Sequence, residues 1–171
     1  MVGYDGNKKV FGSKIHVAVN EESLPLSIVI GPANEHDSRK FIPVMQNISI
    51  KTYARPRSRP EEVYADKAYD SFFVRTYLSL HKIKARVAII SGKKKPGRPV
   101  IIDEGKYKRN RSCVERFFAW LKGGFRRLSI RYERLAETFT GFLHIAAFVI
   151  HWRVWTVKQL VHLNNKSIRV D

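Results

Sequence analysis

Thiol chemistry is almost absent from this 171-residue chain, whose one cysteine is Cys113. A single cysteine excludes an internal disulfide and any zinc site built on several cysteines. Cys113 lies near the apolar side of a helical segment and reads as a small buried hydrophobe. Long apolar runs are missing too. The longest apolar-rich stretch, residues 139–150, includes Thr140 and His144. It falls short of the ~18 residues that cross a bilayer and reads as a buried helix. The N-terminal MVGYDGNKKVFG has no apolar leader core. No membrane contact is expected, and the expected location is cytoplasmic and nucleoid-associated. There is no internal repeat. Acids are scarce: Asp+Glu number 15 against 32 Lys+Arg, a net charge of +17. Such a field attracts polyanions, nucleic acid first, although an anionic membrane surface or a structural RNA would also fit the number.

What remains is a globular composition, 44% hydrophobic, with a length that suits one domain and a real core. Lys14 to Asn20 alternates Ile15, Val17 and Val19 with Lys14, His16 and Ala18, the period of a strand. Pro25 to Pro32 is a second strand, and the two read as a hairpin. Asp37 and Ser38 suit the cap of a helix to about Ile48, with Phe41, Val44, Met45 and Ile48 on one face. A short strand, Glu62 to Ala65, ends at Asp66. Asp70-Ser71 then offers a cap for a helix from Phe72 to Ile83, and Arg86 to Ile90 is another strand. Strand, helix, strand implies a parallel pair. A helix from about Arg109 to Phe125 is weakened at Gly123-Gly124. A last helix, capped by Thr138, runs to about Leu163, and residues 164–171 are a tail. This order predicts a mixed sheet with helices on its faces, the α/β class.

The stretch YKRNRSCVERFFAWLK, Tyr107 to Lys122, sets one acid inside a basic helix. Arg111, Glu115 and Lys122 share a helical face, beside an apolar stripe of Val114, Phe118, Leu121 and Phe125. A carboxylate among cations suits a metal-dependent enzyme acting on a phosphate backbone. The same spacing also suits a solvated helix with an i,i+4 Arg–Glu pair. Phosphodiester chemistry with Mg²⁺ needs converging oxygen ligands. Asp66, at the C-terminal end of a parallel strand where ligands of such sheets usually sit, could join Glu115. Alternatively, Asp66 simply ends its strand and accepts from local backbone N–H groups.

Residues 93–134 hold fourteen Lys/Arg and four acids, interleaved with Phe117, Phe118, Trp120, Phe125 and Tyr132. The cations predict phosphate contacts, and the aromatics read as core. Within this segment KKKPGRP, Lys93 to Pro99, resembles a minor-groove AT-hook with Lys93, Lys94, Lys95 and Arg98 as its cations; a solvated basic loop fits the same residues. His144 and His151 share a face of the last helix and, with Trp152 and Trp155, read as helix packing rather than a metal site.

Three segments carry a family resemblance. YADKAYDS (Tyr64 to Ser71) resembles the second-aspartate motif of the DDE transposases of the IS5 and IS4 insertion-sequence group. YKRNRSCVERFFAWLKGGFRRLSIRYERLA (Tyr107 to Ala136) resembles their C-terminal Tyr, Arg, Glu, Lys signature. Asp5 to Ser38 resembles the segment after their first catalytic aspartate. The resemblance implies an RNase H-like sheet and a DDE catalytic domain over residues 1–163. It implies Asp66 and Glu115 as catalytic ligands of Mg²⁺ (or Mn²⁺), and Tyr107, Arg111 and Lys122 as DNA contacts, with Arg109 a competitor of Arg111. The implied partner is double-stranded DNA, transposon ends and target, bound by a homo-oligomer. The implied reaction is strand cleavage, then strand transfer.

In that family the first aspartate lies on a strand preceding the segment matched by Asp5 to Ser38, and neither Asp5 nor Asp37 matches it. The expectation is therefore an RNase H-like sheet lacking its first, central strand, in a truncated or split transposase that is inactive alone. The orphaned neighbours would pair directly, take a substitute from residues 1–12, or leave the chain poorly stable. The rival expectation is a non-catalytic DNA-binding remnant that inhibits an intact transposase.

Overall fold

The computed structural model describes residues 2–6, 8–50, 59–88 and 103–167. Their order is β1 (Gly3–Asp5), β2 (Val10–Val19), β3 (Pro25–Pro32), α1 (Ser38–Gln46), β4 (Glu62–Ala65), a 3-10 turn (Lys67–Tyr69), α2 (Phe72–Leu80), β5 (Lys84–Val87), α3 (Glu104–Gly124), α4 (Arg126–Ser129) and α5 (Ala136–Ser167). The class is mixed α/β, as the hydrophobic periods predict. Two compact units are formed, Met1–Ala119 and Trp120–Asp171.

In the first unit β2 and β3 pair antiparallel from Ser13↔Pro32 to Val19↔Pro25. Asn20 closes their turn, its Oδ1 accepting from the amides of Glu22 and Leu24. β4 and β5 pair in parallel, Glu62↔Lys84 through Ala65↔Val87. Among the described residues the two pairs form separate sheets and are not joined to each other. The N-terminal residues add a short strand to the hairpin, β1 lying antiparallel on β2, Gly3↔Gly12 to Asp5↔Val10, but among the described residues it pairs with β2 alone and does not fill the central place between the hairpin and β4. β2 consequently begins four residues before the expected Lys14.

Helices, rather than strand pairing, tie these sheets into one core. Phe41, Met45 and Ile48 from the α1 segment, Val74 and Leu78 from α2, and Ile83 and Val87 from β5 form one buried cluster. Ala18 and Leu26 of the hairpin and Val63 and Ala65 of β4 pack against it. The buried Ser27 hydroxyl of β3 donates to the Val44 carbonyl at 2.6 Å, fastening α1 to the hairpin.

Several boundaries depart from the sequence reading. Asp37 stands at the start of α1, but its backbone is already helical (φ −57°, ψ −34°) and its side chain makes no cap. A capping residue needs extended backbone to reach back, and here Lys14 Nζ holds the Asp37 carboxylate at 3.1 Å. Ser71 does cap α2, accepting from the Val74 amide at 3.3 Å. α3 starts at Glu104, five residues early, because Asp103 Oδ1 accepts from the Lys106 amide at 3.0 Å. The buried residues of α3 are Cys113, Phe117 and Leu121: Leu121 is buried as the stripe predicts, while Cys113 and Phe117 take the places expected of Val114 and Phe118, which are half-buried. Cys113 is buried, as expected.

In the second unit Leu121, Leu128, Phe139, Leu143, Ala146 and Ile150 are buried. Three arginines lie over aromatic rings: Arg127 over Phe142, Arg131 over Phe139 and Arg153 over Phe125. α5 begins at Ala136, so Thr138 is inside the helix and not its cap. The stretch 139–150 is buried on one face only, since Ile145 and Phe148 are exposed. Trp152 and Trp155 are exposed as well, stacking along their own helix rather than packing under it. No described helix is long and apolar enough to cross a membrane.

Leu78 is 1% exposed and Leu80 is 76% exposed, two residues apart on the same helix with opposite surroundings. Leu78→Ala is expected to lower the unfolding free energy by about 2–5 kcal/mol. Leu80→Ala should change it by no more than about 0.5 kcal/mol. Urea unfolding of both variants checks this; equal losses would contradict the assigned core.

Candidate metal and nucleic-acid site

β4 alternates its faces. Val63 and Ala65 point to the core, Glu62 and Tyr64 to the other side, and Asp66 follows at the strand end. Asp66 retains extended backbone (φ −69°, ψ 163°) and caps the 3-10 turn, its Oδ1 accepting from the Lys67 amide at 2.6 Å. That is the local role the sequence allowed for, and it uses only one carboxylate oxygen. The other, Oδ2, faces Arg111 Nη2 at 3.7 Å.

α3 is pinned at two points. The Tyr107 hydroxyl donates to the Ala65 carbonyl at 3.1 Å, beside Asp66. The Cys113 thiol lies 3.2 Å from the Glu21 carbonyl in the hairpin turn. Between and beyond these anchors the exposed face carries Arg111 and Glu115, and Arg111 Nε reaches Glu115 Oε1 at 3.7 Å. One guanidinium therefore bridges two carboxylates from elements far apart in sequence. The Asp66 and Glu115 side chains are 44% and 70% exposed, so both stay open to solvent.

The structure brings together Asp66, Arg111, Glu115 and Tyr107, although the Tyr107 hydroxyl is engaged by backbone. Arg109 is not part of this group; its charge acts on Asp103. Lys122 follows on the exposed face of α3, in the second unit. Lys93, Lys94, Lys95 and Arg98 lie outside the described residues. Of the aromatics expected in the core, Phe117 is fully buried, Phe118 and Phe125 are half-buried, and Trp120 and Tyr132 are exposed. Tyr69, behind Asp66, is pushed up to about 12 by burial and by the charges of Asp37 and Asp66, so it stays protonated.

A family model described as a transposase DDE domain matches residues 2–150. The chain belongs to the transposase DDE domain family. It is 35% identical over 143 residues to the Burkholderia cepacia protein named "Putative transposase for insertion sequence element IS402", covering 82% of this chain and 63% of that one. It thus spans less than two thirds of that relative's length. It is 29% identical over 141 residues to the Brucella ovis "Putative transposase for insertion sequence element IS6501", covering 82% of this chain and 98% of that protein. No solved structure matches the chain.

This DDE domain also holds a charged group that the sequence reading missed. Glu62 accepts from the Tyr64 hydroxyl at 2.8 Å and faces Arg86 at 3.4 Å, Lys106 at 3.4 Å and Lys84 at 3.7 Å. Polar residues alternating at 62 and 64 and at 84 and 86 were the available signal. It was lost because β5 begins two residues before the expected Arg86. The Tyr64 hydrogen bond, with Lys106 and Arg86, holds the Glu62 carboxyl at about 2, against an ordinary 4.5.

A carboxyl depressed in the folded state stabilises it above its unfolded value, and that contribution fades as pH falls toward the folded value. The stability difference between wild type and Glu62→Gln should therefore be full above pH 5 and shrink between about pH 4.5 and pH 2. Urea midpoints measured across that range check it; a difference independent of pH would contradict the assignment.

Proposed function

We propose that this chain is the DDE portion of an insertion-sequence transposase. It binds duplex DNA and contributes Asp66 and Glu115 to metal-dependent cleavage and strand transfer at transposon ends. The observation supporting this is the Arg111 bridge, which puts a cationic group between the Asp66 and Glu115 carboxylates at 3.7 Å from each. Two exposed carboxylates that already share a cation fit Mg²⁺ or Mn²⁺, which favour oxygen ligands and retain several waters. Such an ion, when bound, supplies activation of the attacking oxygen and stabilisation of the leaving oxygen. Arg111, released from the acids, turns to the anionic phosphate, and Lys122 is a further phosphate contact. The chain works as a homo-oligomer on paired DNA ends.

A second reading, a non-catalytic DNA-binding or inhibitory role, is favoured by one observation. Among the described residues no three His, Cys, Asp or Glu side chains gather as a metal site. The two acids would then need a third carboxylate from elsewhere.

Cleavage of a duplex carrying transposon ends, with Mg²⁺ or Mn²⁺, separates the readings. Under the first, Asp66→Ala and Glu115→Ala each reduce cleavage by more than about 100-fold and leave DNA binding nearly unchanged. Cleavage that survives in both variants defeats it. Under the second, wild type binds but never cleaves, and Glu115→Ala binds equally or more tightly.

A further inference from the structure

We propose that the outward face of α5 pairs with the same face of a second copy of this chain. α5 is apolar on two sides. Phe139, Leu143, Ala146 and Ile150 lie on its buried side. Ile145, Phe148, Trp152 and Trp155 lie on the opposite side and are 54–66% exposed. A helix that is apolar all round is ordinarily covered all round, so the second face calls for a partner. The spacing of its residues names the kind of partner. The four stand three, four and three residues apart, the a and d rhythm of helices that pack side by side. α5 itself carries that rhythm, so a second α5 complements the first, as a two-fold interface requires. Phe148 and Trp152 stack with ring centres 6.3 Å apart, and Trp155 follows Trp152 at 5.4 Å. The aromatic surface is therefore ordered before a partner arrives, which lowers the entropy cost of pairing.

The size of the face fits as well. At about 200 Å² for a large side chain, the exposed parts of the four amount to roughly 500 Å² on one copy. A pair would bury about 1,000 Å² from these side chains alone, the lower end of a specific interface. Charge does not oppose the pairing, although the chain as a whole carries +17. The positions beside the four, His144, Val149, His151 and Thr156, hold no Lys or Arg. Arg153 is drawn off to the Phe125 ring, 6.0 Å from its centre, and Lys158 stands past the end of the row. A helix that lies on a membrane surface, by contrast, carries Lys and Arg along its polar face. The inference deepens the homo-oligomer of the proposed function, on which it rests for its purpose; the pairing itself needs neither DNA nor metal.

The test is sedimentation velocity of the full chain from about 1 to about 100 µM, in EDTA without DNA, at about 0.5 M salt to screen the net charge. Wild type is expected to pass from monomer to dimer with a Kd on the order of 10 µM, as suits an interface of the smallest specific size. Phe148→Gln with Trp152→Gln should weaken the dimer at least about tenfold. Both residues are exposed, so thermal unfolding of the dilute monomer should stay unchanged. Phe72→Gln with Phe73→Gln removes comparable exposed surface from α2 and should leave the dimer as it is. A wild-type chain still monomeric at the highest concentration overturns the proposal, as does one that stays monomeric and moves onto phosphatidylserine vesicles. A dimer equally strong in the α5 double variant, or weakened as much by the α2 pair, overturns it too. Pairing that appears only when duplex DNA is added overturns this interface but leaves the proposed homo-oligomer standing. A dimer that forms as expected and never cleaves DNA upholds the interface and defeats only the catalytic reading.

Discussion

The hydrogen bond from the Tyr107 hydroxyl to the Ala65 carbonyl sets where α3 meets the end of β4. Everything on the candidate site's surface follows from that meeting. Asp66 is the next residue after Ala65, and Arg111 is one helical turn beyond Tyr107. A helix held there presents Arg111 to Asp66, and the i,i+4 spacing then adds Glu115. Lys106, beside Tyr107, is brought to Glu62 by the same docking. Two charged groups, one acidic with a bridging arginine and one cationic around a glutamate, are thus positioned by a single attachment of helix to strand.

The arrangement also shows how a strongly basic chain surrounds its few carboxylates with cations. Asp66, Glu115 and Glu62 each face at least one arginine or lysine. In a chain of net charge +17 the acids are the minority, and cations compete for them. Arg111 divides itself between two acids at 3.7 Å each, longer than a tight, bidentate pair would be. The Arg75–Asp70 pair, by contrast, closes to 2.6 Å with its carboxylate side chain fully buried.

Much of this was legible from residue order. Period-two alternation gave the hairpin, the cap at Ser71 gave α2, and period-3.6 patterning gave α1 and the face of α3 carrying Arg111 and Glu115. Local chemistry was less legible where two signals competed. Gly105 argues against a helix, yet Asp103 starts one there. Phe117 and Cys113 are buried more deeply than Phe118 and Val114, because adjacent apolar residues at 113–114 and 117–118 leave two stripes open to the same spacing. Asp37 looks like a cap until Lys14, twenty-three residues away, takes its carboxylate. The Glu62 group depends on the register of β4 against β5, which no local pattern encodes.

The central claim is that Asp66 and Glu115, from separate elements, act as one cation site that Arg111 fills in the absence of metal. Mn²⁺ titration followed by electron paramagnetic resonance tests it most directly. The account predicts one bound ion per chain, lost alike in Asp66→Asn and in Glu115→Gln, and bound more tightly in Arg111→Ala. An ion retained in either acid variant, or binding weakened by Arg111→Ala, would contradict it.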